Sequence, residues 1–206
     1  MSDSVNSETN AVNGVSAEAF SLIQQAKQSN AEALGELLDS CRGYLLLVAD
    51  QKLSADLKVK VAASDIVQEA YLKAHENIAQ FRGQSSEEFL AWMRKILLNT
   101  FLNKRRRYVG ATRQISQEKS EGAVNLNSLA IDASSPSTHA IRDEEAEHVF
   151  ELLQELPEDY QRIIRLRSRD ELSYAEIAQQ MGRSTDAVRL LWSRAIEALT
   201  RKCQQN

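Results

Sequence analysis

Apolar residues recur every three or four positions along most of this chain, and no run alternates strictly over strand length. That spacing fills one face of a helix and cannot fill one face of a strand. The chain is therefore expected to be all-α. Only two prolines and seven glycines occur in 206 residues, so long stretches carry no helix breaker.

The periodicity also divides the chain. Residues 1–15 are polar and aperiodic and read as a disordered tail. Helical patterning begins at Ser16, a plausible N-cap, with Phe20, Ile23 and Ala26 and then Leu34, Leu37 and Leu38 on apolar stripes. The unbroken apolar run Tyr44–Ala49 must face a core. Ser64 opens another helix, whose stripe is Ile66, Val67, Ala70, Tyr71 and Ala74 and which stops near Phe81-Arg82-Gly83. Ser85 and Glu88 form a capping box for a helix through Phe89, Trp92, Met93, Ile96, Leu97 and Phe101. Residues 16–107 thus read as one helical domain. The stretch 108–140 is rich in Ser, Ala, Asn, Thr and Gln, is too long for a loop inside a compact domain, and reads as a flexible linker, with a short helical stretch near Leu126–Leu129. Residues 141–206 form a second small helical domain. Its apolar positions are Val149, Leu152, Leu153 and Leu156, then Tyr160, Ile163, Ile164 and Leu166 after Pro157, which suits a first helical turn.

The end of that second domain is the sharpest signal. Ser173 and Glu176 cap a helix of about eight residues, Gly182 stops it, and Ser184 or Thr185 caps a longer one. Those are the proportions of a helix-turn-helix. Ala178 stands where the two helices cross. The second helix exposes Arg189, Ser193 and Arg194, with Thr185 and Asp186 at its start. In this motif the second helix enters the major groove, where Arg matches guanine O6 and N7 and Ser or Thr serves several bases. Arg183, Arg201 and Lys202 are placed for phosphates. From Arg162 to Lys202 there are nine basic and five acidic residues, so this piece is locally positive in a chain of net charge −4.

Two further constellations stand out. Trp92–Arg107 carries six basic residues and no acidic one, with Trp92 and Phe101 among the charges. Asn99 and Asn103 lie four apart and leave one face of the helix. Amides, with Arg105 and Arg106 beside them, suit single-stranded or melted DNA, and an aromatic can stack on an unpaired base. The same residues also read as a core stripe with a solvated basic end, and Trp92 fits either part. On Asp65–Lys73 the polar residues Asp65, Gln68, Glu69 and Lys73 share a face. That face is either simply solvated or a docking surface, where fixed charges orient a partner.

Several classes are excluded. There is no phosphate-binding glycine loop, nucleophile elbow or His/Glu metal repeat, so no enzyme and no cofactor is expected. Cys41 and Cys203 lack zinc-ligand spacing and read as ordinary thiols of a reducing compartment. No window has the apolar length of a membrane span, and the N-terminus does not read as a signal peptide, so a cytoplasmic protein without membrane insertion is expected.

The order DIVQEAYLKAHENIAQFRG, FLAWMRKILLNTFLNKRRR and LPEDYQRIIRLRSRDELSYAEIAQQMGRSTDAVRLLWSRAIEAL resembles the extracytoplasmic-function group of sigma-70-family factors, over about residues 16–107 and 141–202. The resemblance implies a subunit that binds core RNA polymerase and directs promoter-specific initiation. It implies that Asp65, Gln68, Glu69 and Lys73 dock on the polymerase. Trp92, Asn99, Asn103, Arg105 and Arg106 would capture the melted −10 element, and Arg183, Thr185, Arg189, Leu190, Ser193 and Arg194 the duplex −35 element. Leu190 departs from the polar or basic residue common there, so promoter preference is not carried over; it could meet a thymine methyl or a partner protein. The acidic stretch Asp143–Asp159 could mask the chain's own basic surfaces or meet an anti-sigma protein. The competing reading from the residues is a stand-alone helix-turn-helix regulator of duplex operators.

Overall fold

The computed structural model of the chain describes residues 18–58, 60–121 and 136–205, and the side chains of all of these except 109–121 and 136–143. Every regular element among them is helical. A first helix, α1, covers 18–27. It is followed by α2 (Ala31–Lys52), the single turn α3 (Ala55–Lys58) and α4 (Ala63–Asn77), which tightens into a 3-10 turn at Ile78–Gln80. The long α5 (Ser86–Glu121) closes this half. The second half holds α6 (Pro136–Gln154), α7 (Glu158–Ser168), α8 (Tyr174–Met181) and α9 (Thr185–Gln205). The tail, the cap at Ser16 and the stretch Leu126–Leu129 lie outside the described residues.

Local chemistry sets the boundaries. Asn30 starts α2, its side-chain oxygen accepting from the amides of Glu32 and Ala33 at 3.0 and 3.1 Å. The α4 helix opens one residue before the expected Ser64. Asp65 reaches back to accept from the Ala62 amide at 3.4 Å, and Ser64 is buried in the first turn. Pro157 sits at the cap of α7 rather than inside its first turn, consistent with its missing amide hydrogen. Ser173 accepts from the Glu176 amide while the Glu176 carboxylate accepts from the Ser173 amide at 2.7 Å, the reciprocal pair that the spacing predicts. Gly182 ends α8 at φ +63, where a side chain would be strained. Ser184, not Thr185, caps α9, accepting from the Ala187 amide. The backbone of α5 stays helical to Glu121, past Tyr108 where the apolar periodicity fades. The sequence there is dominated by good helix formers and holds no proline, so nothing local stops it.

The core is built around α2. Tyr44 to Ala49 are six consecutive residues, none more than 3% exposed. Six residues sweep all sides of a helix, so α2 needs neighbours on every side. It packs against α4 and α5 of the first half and against α6, α7 and α9 of the second. The two helical halves therefore lie against each other and share one apolar cluster running from Ile23 to Leu199. Gly43 marks the closest approach. A Cβ there would lie 2.9 Å from Cys203 Sγ and 3.6 Å from Leu199 Cγ. A glycine inside a helix costs about 0.5–1 kcal/mol relative to alanine, and here it lets α9 seat against the α2 backbone. Cys41 is a buried free thiol whose pKa burial pushes up, in keeping with an inert core residue.

Replacing Ser173 by alanine removes one half of the α8 capping box. Thermal unfolding should show a loss of about 1 kcal/mol.

Candidate nucleic-acid interface

The polar face of α4 divides into two parts. Glu69 turns toward α5, where it meets both Lys73 at 2.9 Å and Lys104 at 3.2 Å. Lys73 also donates to Thr100 Oγ1 at 3.0 Å. Burial pushes the Glu69 carboxyl up, but the two ammonium groups outweigh it and hold the group below the ordinary carboxylate range. Glu69 and Lys73 thus cross-link α4 to α5. Asp65 is half-buried at the N-terminus, where it caps the helix. The fully exposed part of the face is Gln68, Leu72, His75 and Glu76. Leu72 is 68% exposed, the most exposed of the large apolar side chains among the described residues. Its offset of one position from Tyr71 turns it outward.

On α5 the predicted amide face is present. Asn99 and Asn103 are both exposed, and Leu102 between them is 42% exposed. Lys95, Arg105, Arg106 and Arg107 are exposed, while Lys104 is taken by Glu69 and Arg94 by Glu171 at 3.2 Å. Phe101 is buried and is not available to a base. Trp92 is half-buried in an aromatic group. Its ring centroid lies 5.1 Å from Phe81 and 5.7 Å from Phe89. Phe81 covers Gly83 so closely that a Cβ there would fall 2.3 Å from its ring. The turn that precedes α5 and the wall that holds Trp92 are therefore one packed unit.

In the second half, α8, the turn at Gly182 and α9 form the helix-turn-helix. Val188, Leu191, Trp192, Ala195 and Leu199 are buried. Arg183, Arg189 and Leu190 are exposed; Thr185, Ser193 and Arg194 are half-buried. Arg189 is held at two points. It pairs with Asp186 one turn back at 3.3 Å, and its guanidinium carbon lies 5.8 Å from the Tyr174 ring centroid. Arg167 covers the same ring at 4.4 Å and donates to the Leu172 carbonyl at 2.8 Å. Tyr174, at the first position of α8, therefore sits among the cations of this half. Ring spacing alone does not announce that arrangement in the sequence.

The acidic stretch of α6 and α7 reaches those cations. Asp159 binds Arg183, Glu155 binds Lys202, and Glu145 binds Arg42 of α2. The Glu155 carboxyl is held below its ordinary range by Lys202. The negative charge that makes the whole chain acidic thus partly offsets Arg183 and Lys202 of the second half. Among the described residues no group of three or more His, Cys, Asp or Glu could hold a metal ion, and no helix is long and apolar enough to cross a membrane.

Two family descriptions match this geometry segment by segment. Sigma-70 region 2 matches residues 45–109, the half holding α4 and the first part of α5. Sigma-70 region 4 matches 147–199, the half holding the helix-turn-helix. The ECF RNA polymerase sigma-E factor of Escherichia coli K12 is 34% identical over 169 residues, covering 78% of this chain and 85% of its own. The RNA polymerase sigma-H factor of Pseudomonas aeruginosa is 33% identical over 147 residues, covering 69% and 73%. Among solved structures, a chain in the RsbN–BldN complex is similar over 87% of this chain and 97% of its own at 21% identity, with a TM-score of 0.31. With both regions matched in order and a third of the residues shared over most of each relative, the chain belongs to the ECF sigma factors of the sigma-70 family.

Proposed function

We propose that the chain works in the cytoplasm as a dissociable subunit of RNA polymerase and divides promoter recognition between its two halves. Gln68 and Leu72, with Asp65 at the helix start, form the surface for core polymerase, and Leu72 is the apolar anchor at its centre. Glu69 and Lys73 belong to the same face but act through α5, holding it in register with α4. Asn99 and Asn103, with Leu102, Arg105 and Arg106, receive the melted −10 strand, and Trp92 braces the loop beside them. The N-terminal turns of α9 read the −35 duplex. Arg189 is the candidate for a guanine, Leu190 for a thymine methyl, and Arg183, Thr185, Ser193 and Arg194 fix the helix on the groove. An anti-sigma partner would find an outward surface on α6, where Phe150 is 51% exposed among Glu144, Glu147 and Glu151.

The observation that carries this reading is the presence in one chain of two exposed helical surfaces of different kinds. One is a helix with exposed amides and four exposed cations, suited to unpaired bases. The other is a helix-turn-helix, suited to duplex. A stand-alone operator-binding regulator needs only the second.

Core polymerase pull-down followed by run-off transcription tests the assignment. Leu72→Asp and Gln68→Ala should retain less core, with Leu72→Asp losing about 2 kcal/mol or more, while the melting temperature of the free chain stays unchanged. Glu69→Gln should instead lower the stability of the free chain by about 1 kcal/mol, because the amide keeps one acceptor oxygen but loses the charge that holds both Lys73 and Lys104. Equal effects of Glu69→Gln and Gln68→Ala on both readouts would contradict that division of labour. Asn99→Ala should leave core binding intact and reduce open-complex formation, read by permanganate footprinting. Arg189→Ala should cost about 1–3 kcal/mol of discrimination between −35 sequences. A uniform loss across all sequences would make it a phosphate contact.

A further inference from the structure

Asn99 and Asn103 lie seven and eleven residues beyond Trp92, close to two and three full helical turns, so all three leave α5 within one narrow sector. Glu88, one turn before Trp92, continues that line toward the start of the helix. The loop at residues 82–85 therefore tops the face assigned above to the melted strand. Arg82, Gln84 and Ser85 are exposed on it, presenting a guanidinium, an amide and a hydroxyl.

This loop is held at three points. The Glu88 carboxylate accepts from the backbone amides of Gln84 and Ser85 at 2.7 and 3.2 Å. Phe81 packs under Gly83 and against Phe89 and Trp92. The third point comes from a distant part of the chain. Lys27, the last residue of α1, donates from Nζ to the Gly83 carbonyl at 2.9 Å, and the same ammonium lies 5.3 Å from the Phe81 ring centroid. The Gln84 amide, with the charge of Lys27 added to it, holds the Glu88 carboxyl below its ordinary range. One half-buried cation thus engages the middle of the loop, the ring beneath it and the carboxylate that caps it. Lys27 stands before the segment that matches Sigma-70 region 2, residues 45–109.

We propose that Lys27 is a positioning residue for −10 recognition, which fixes the loop at 82–85 in its strand-receiving shape before DNA arrives. The inference rests on the assignment of the Asn99/Asn103 face to the melted strand. A loose loop must be ordered as it binds, and that cost is taken from the affinity; a loop already fixed avoids it. An ammonium suits the task because it carries three donors and no acceptor, so it can serve a carbonyl and an aromatic face together. Lys27 is turned to the loop backbone, so it acts through the loop and not on a base.

Three variants of the full-length chain test this, each assembled with core polymerase on a promoter that the wild-type chain selects. Lys27→Met keeps an apolar stem and removes the donor. Gly83→Ala disturbs the loop from the Phe81 side, where a Cβ would fall 2.3 Å from the ring, and leaves every charge in place. Lys27→Arg keeps a cationic donor for both carbonyl and ring. The readouts are affinity for a fork-junction DNA with an unpaired −10 strand, permanganate reactivity of the −10 region, core pull-down and the melting temperature of the free chain. Lys27→Met and Gly83→Ala should each weaken fork-junction binding about tenfold and relax the preference between −10 sequences, with core retention unchanged. Lys27→Arg should recover most of both. Wild-type binding by Lys27→Met would overturn the positioning role. So would a Lys27→Arg variant as weak as Lys27→Met, or a fall in melting temperature with equal losses of core and fork-junction binding. Asn99→Ala, measured in parallel, separates the two levels. If it weakens fork-junction binding and Lys27→Met does not, only the role of Lys27 fails; if neither does, the −10 assignment fails with it.

Discussion

The fold depends on the burial of the Tyr44–Ala49 segment of α2 on all its sides. A helix that is apolar around its whole circumference cannot rest on the surface of one small domain. The run from Tyr44 to Ala49 has no polar side to present to water, and its neighbours come from both halves of the chain. The N-terminal half supplies α4 and α5; the C-terminal half supplies α6, α7 and α9. Remove either group and a stripe of Tyr and Leu side chains is exposed. The α2 helix is therefore at once the core of the N-terminal domain and the seat of the C-terminal one.

Electrostatics then sort the surfaces by task. The exposed amide face of α5 has cations along it, and the acid that lies nearest on α4, Glu69, turns inward to Lys73 and Lys104. The cations flanking the helix-turn-helix are matched by carboxylates of α6 and α7 through Asp159 and Glu155. Exposed pairs of this kind are individually weak and screened by salt. A net charge of −4 is thereby compatible with a helix-turn-helix that is locally positive.

Much of this was legible in the sequence, and the exceptions share a cause. Caps and stops were readable because they depend on a few neighbouring residues: the Ser173–Glu176 box, Gly182, and the Asn99/Asn103 spacing are all local. The apolar run on α2 was readable as core, but nothing in it says that two domains would divide that core. Residues whose role depends on a distant partner were not separable. Glu69 and Gln68 look alike in sequence, yet Lys104, thirty-five positions away, commits one of them to structure. Phe101 and Trp92 sit in the same basic segment, and only packing against Phe81 and Phe89 distinguishes the buried ring from the half-buried one. Leu72 adjoins Tyr71 of the core-facing stripe, and Gly43 gave no sign of the helix that passes over it.

The central claim is that this chain directs polymerase to promoters by two separate contacts. Sequencing the 5′ ends of transcripts made by core polymerase on genomic DNA, with and without the protein, tests it most directly. The account predicts a new set of start sites that share an upstream and a downstream element at nearly constant spacing, with Arg189→Ala altering only the upstream one. Start sites indistinguishable from those of core polymerase alone would contradict it.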